Sequence, residues 1–126
     1  MPPSTRLLLV CLLLASPGLA RAADIASGCI RIERIAAFAP RGEVYVEIAI
    51  DCGEPDFGKN DSIVAHLEVH TGKAPAIDED VRVYADEPRG RRTIPFQNLE
   101  IEPGDPLLVR LIRFGQILGL ETIKVP

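Results

Sequence analysis

Between residues 43 and 51, apolar Val44, Val46, Ile48 and Ile50 alternate with Glu43, Tyr45, Glu47 and Asp51. Side chains of an extended strand point to opposite faces at every step, so this spacing gives one apolar face and one wet face, which helical periodicity does not. The pattern recurs. Ile63, Ala65, Leu67 and Val69 alternate with Val64, His66, Glu68 and His70, and Val81 and Val83 alternate with Arg82 and Tyr84. A further extended stretch covers residues 93–101, where Pro95 belongs at an edge or bulge because proline has no N–H to give a ladder. Residues 107–114 and 118–125 complete the series, set apart by Pro103-Gly104-Asp105-Pro106 and by Gly115-Gln116. No window sustains apolar residues at three- and four-residue spacing without a proline or glycine.

About seven short strands with turn signals between them predict an all-β fold, a small immunoglobulin-like β-sandwich of antiparallel strands. The chain has no Trp, so it lacks the tryptophan that antibody domains pack against their disulfide. No internal repeat, low-complexity run or linker divides it, and a length of 126 residues leaves room for one domain.

The amino terminus reads as an export signal. Arg6 precedes the apolar run of residues 7–15, then come Ser16-Pro17-Gly18 and the small-x-small step Ala20-Arg21-Ala22. Cleavage after Ala22 leaves residues 23–126 as the mature domain, periplasmic or secreted, and the short Ala-x-Ala signal points to a bacterial-type envelope. An uncleaved anchor is disfavoured because the run is about half the ~20 residues of a membrane span, and nothing after residue 22 approaches that length. Lipidation of Cys29, preceded by Ala26-Ser27-Gly28, is disfavoured by Arg21 and Asp24 and by Ala26 in the place of leucine. The signal carries Arg6 and Arg21 but no acid, so the mature chain has twelve basic against eighteen acidic residues. A nucleic-acid partner is not expected of so acidic a domain.

Cys11 leaves with the signal, and the remaining pair, Cys29 and Cys52, predicts a disulfide in an exporting compartment. The turn Ala39-Pro40-Arg41-Gly42 joins their segments. A four-residue loop pairs Phe38 with Glu43, and the same register sets Cys29 directly opposite Cys52. It also turns Ile30 and Ile32 away from the apolar face of the neighbouring strand. A one-residue bulge around Glu33-Arg34 would bring both isoleucines back and offset the cysteines by one position. Either the disulfide is diagonal or the first strand is buried on both faces.

His66, Glu68 and His70 share one face of a strand and are the candidate metal ligands of a periplasmic metal-binding or metal-delivery domain, the alternative function. Successive members are about 6.8 Å apart along a strand and the two histidines about 13.6 Å, so a second strand would have to supply ligands. The plainer reading is a solvated polar face. Asp51, Glu54, Asp56 and Asp61, and separately Asp78-Glu79-Asp80, are acidic loop clusters without the spacing of a calcium loop. Arg89, Arg91 and Arg92 read as a solvated hairpin tip. Ser27 and Ser62, the only serines of the mature chain, have no nucleophile-elbow context, and glycine loops for nucleotides are missing, so no enzyme and no cofactor are expected.

One feature speaks for binding. Leu107, Val109 and Leu111 supply one apolar face of a strand, while Leu108, Ile112 and Phe114 supply the other, broken only by Arg110. A sandwich strand normally shows water on one side, so the second face calls for cover, either by a partner or by the domain's own Phe96 or Leu99. The expectation is an exported, non-catalytic binding or assembly-accessory protein of the cell envelope. It would act through protein–protein contacts or self-association, with Leu108, Ile112 and Phe114 as the contact residues.

Overall fold

The computed structural model describes residues 28–126, so the signal expected at residues 1–22, its cleavage site and residues 23–27 lie outside the described part. Its elements are β1 (Ile30–Phe38), β2 (Glu43–Asp51), β3 (Ser62–His70), β4 (Ile77–Tyr84), β5 (Arg89–Phe96), β6 (Pro106–Arg113) and β7 (Gln116–Lys124). A 3-10 turn, Ala39–Arg41, joins β1 to β2, and one helical turn, α1 (Glu54–Phe57), follows β2. The strands form two antiparallel sheets, ordered β1-β2-β5 and β4-β3-β6-β7. Among the described residues no helix is long and apolar enough to cross a membrane.

The two sheets share one buried cluster, as expected of a β-sandwich. Val44, Val46 and Ile48 from β2 meet Ile63, Ala65, Leu67 and Val69 from β3 and Leu107, Val109 and Leu111 from β6, all fully or almost fully buried. These are the inward positions of the period-two pattern. Phe96 and Leu99 belong to this cluster too, so they fill the interior.

The β1–β2 hairpin resolves the ambiguity at Glu33. Pairing runs from Phe38↔Glu43 to Arg34↔Glu47, then shifts by one to Ile32↔Ile48 and Ile30↔Ile50, leaving Glu33 as the extra residue of a bulge. Ile30, Ile32, Ile35 and Ala37 consequently all face the apolar side of β2, opposite Ile50, Ile48, Val46 and Val44. Burying four apolar side chains decides the register, because the unbulged alternative would expose two isoleucines. The backbone N–H of Asp51 donates to the carbonyl of Cys29 at 2.8 Å, so the Cys29–Cys52 disulfide sits one position off the pairing, with Cα atoms 4.7 Å apart. That bond takes the sulfur that lipidation of Cys29 would need. At the hairpin turn, Gly42 has φ 62° and a Cβ there would lie 2.5 Å from the carbonyl oxygen of Leu99, so only glycine fits.

Four expectations need correction. The stretch expected at residues 93–101 is instead β5, which begins at Arg89 and stops at Phe96. Arg89 and Arg91 therefore stand on the outer side of a sheet and not at a hairpin tip, where they meet Asp51 at 2.8 Å and Glu33 at 3.0 Å, while Arg92 donates to the carbonyl of Arg82. Cross-strand charge pairing stabilises these arginines in a strand that has little apolar alternation of its own. Asp78, Glu79 and Asp80 are likewise part of a strand, the edge strand β4, where acidic side chains discourage further pairing. The fourth correction concerns Phe114, which lies just beyond β6 in the turn to β7 and not on the strand face with Leu108 and Ile112.

Candidate functional site

The outer face of the four-stranded sheet holds most of the residues singled out above. On β6, Leu107, Val109 and Leu111 point inward and are fully buried, which turns Leu108, Arg110 and Ile112 outward. Antiparallel pairing then sets His70 beside Leu108, Glu68 beside Arg110 and His66 beside Ile112. From the other flank, β7 places Thr122 beside Leu108, Leu120 beside Arg110 and Ile117 beside Ile112.

A polar row runs through the middle of this face. Oε1 of Glu68 accepts from Nε and Nη2 of Arg110 at 3.1 and 2.8 Å, and Nε2 of His70 lies 2.8 Å from the same oxygen. The Arg110 donors, and then the His70 ring, hold the Glu68 carboxyl below its ordinary pKa. His66 directs Nδ1 at Asp80 of β4, 2.8 Å away. Thus Glu68 is shared by Arg110 and His70, while His66 turns to the opposite flank. Among the described residues the only cluster of three ligand-type side chains within 4.8 Å is Cys29, Cys52 and Asp56, and its cysteines are joined as a disulfide. The three candidate ligands His66, Glu68 and His70 do not form such a cluster.

The apolar part of the face is wider than Leu108 and Ile112, both of which are half-buried. A bulge breaks the β6–β7 register between Leu111↔Gly119 and Ile112↔Ile117, leaving Leu118 as the extra residue. Leu118 packs against the core, and Ile117 is left outside, opposite Ile112. Ile117 and Leu120 are 53% and 52% exposed, and Phe114, in the adjoining turn, is 86% exposed. Leu108, Ile112, Ile117 and Leu120 therefore lie on the outer side of two neighbouring strands, around Arg110. Sequence reading missed Ile117 and Leu120. The available signal was Gly119, since a glycine inside a strand pattern marks a bulge or a close backbone approach, and a Cβ there would lie 3.4 Å from the side chain of Ile32.

The turn between β6 and β7 has its own geometry. Phe114 and Gly115 have φ of 52° and 73°, as the two central residues of a tight hairpin turn of the primed type require. Asparagine or aspartate ordinarily takes the first of these positions, where a bulky side chain is disfavoured. The Arg113 guanidinium lies 4.7 Å from the centre of the Phe114 ring. Compared with protein-family models, curated proteins and solved structures, the chain gave no match to any of the three.

Proposed function

We propose that the protein is an exported, non-catalytic binding or assembly-accessory module of the cell envelope that holds a protein partner against the outer face of its four-stranded sheet. The observation that carries this reading is the exposure of Phe114, Ile117 and Leu120 beside half-buried Leu108 and Ile112. Apolar side chains grouped on one outer face cost free energy in water that a docked surface would recover. The disulfide supports export, because such bonds persist in oxidising compartments.

Strand order supports an immunoglobulin-like assignment. Against the ABED and CFG sheets of constant-type domains, β1, β2 and β5 take the places of A, B and E, and β3, β6 and β7 those of C, F and G. The fourth strand has changed sides and pairs with β3. The disulfide differs from the inter-sheet bridge of antibody domains in joining the ends of two neighbouring strands of one sheet. The alternative, a metal-binding or metal-delivery domain built on His66, Glu68 and His70, draws no support from a carboxylate already shared by Arg110 and His70.

The test is capture from the native envelope after cross-linking, with the parent and an Ile117→Asp, Leu120→Asp double variant. The parent should retain a partner that the double variant loses while its melting temperature stays close to that of the parent. A second copy as partner would appear as a concentration-dependent dimer in sedimentation, absent from the variant. Full retention of all associations by the folded variant would refute the reading.

A further inference from the structure

We draw no further inference here: the strongest candidate, the side-chain cluster of Cys29, Cys52 and Asp56 beside the cleft at the β6–β7 turn, has both of its sulfurs joined in the disulfide and so leaves no thiolate to hold a metal ion or attack a substrate.

Discussion

Replacing Ile48 with alanine tests the assignment of faces most sharply. Ile48 is fully buried midway along β2, the central strand of its sheet, between Ile32 of β1 and Arg92 of β5. The change removes three methyl or methylene groups at about 0.8 kcal/mol each, so about 2.4 kcal/mol is lost before any cavity is counted. Neighbouring side chains in two hydrogen-bonded sheets close such a gap only partly, which brings the cost to about 3 to 4 kcal/mol. A domain of this size holds about 5 to 15 kcal/mol of stability. With a urea dependence of about 1.5 kcal/mol per molar, the unfolding midpoint should fall by about 2 to 2.7 M. Glu47→Ala is the control one residue away. Glu47 faces outward, and its partner Arg34 is 3.5 Å distant with a side chain 77% exposed, so water screens the pair. The control should lower stability by less than about 0.5 kcal/mol. Equilibrium urea unfolding followed by circular dichroism at constant slope compares the two. Equal shifts at both positions would refute the inward assignment of Ile48, and with it the reasoning that placed the core.

Other outcomes follow from the same geometry. Exported protein should have the intact mass of a chain starting at Ala23 less two hydrogens, and a lipid on Cys29 would contradict both the signal reading and the bridge. Cutting the bridge with Cys29→Ala and Cys52→Ala opens a loop with a sequence separation of 23, which should cost about 3 kcal/mol, read as a lower urea midpoint. Because the folded-state pKa of Glu68 is lowered, its contribution is present above the unfolded carboxylate pKa and lost as pH falls through the folded value. Glu68→Gln should therefore flatten the loss of melting temperature on acidification, and an unchanged acid profile would count against the Arg110 pairing. Leu108→Asp puts a carboxylate on a half-buried position and should lower the melting temperature more than Leu120→Asp on a half-exposed one, and the reverse order would contradict the described packing.

Much of this fold is local, and local features are readable in a chain. Alternation of Val44, Val46 and Ile48 with charged neighbours assigns a strand and its inner face before any partner is known, since side-chain period belongs to the strand alone. The pairing of Phe38 with Glu43 follows from one short turn, which limits the registers open to a hairpin, and the Cys29–Cys52 bridge from the even pair of cysteines expected in an exported chain. Where polar residues filled a strand, as at Asp78, Glu79 and Asp80, no alternation marked it, because an edge strand exposed to water buries too little to impose one. The choice between bulge and no bulge at Glu33 awaited the tertiary structure, for only packing against the second sheet makes exposure of Ile30 and Ile32 costly. The same holds for the binding face. Leu108 and Ile112 were visible as outward residues of one strand, but the placement of Ile117 and Leu120 beside that strand depends on the bulge at Leu118. A strand's own periodicity says which way each side chain points, whereas the side chains that become its neighbours are set by long-range pairing energies that no single segment contains.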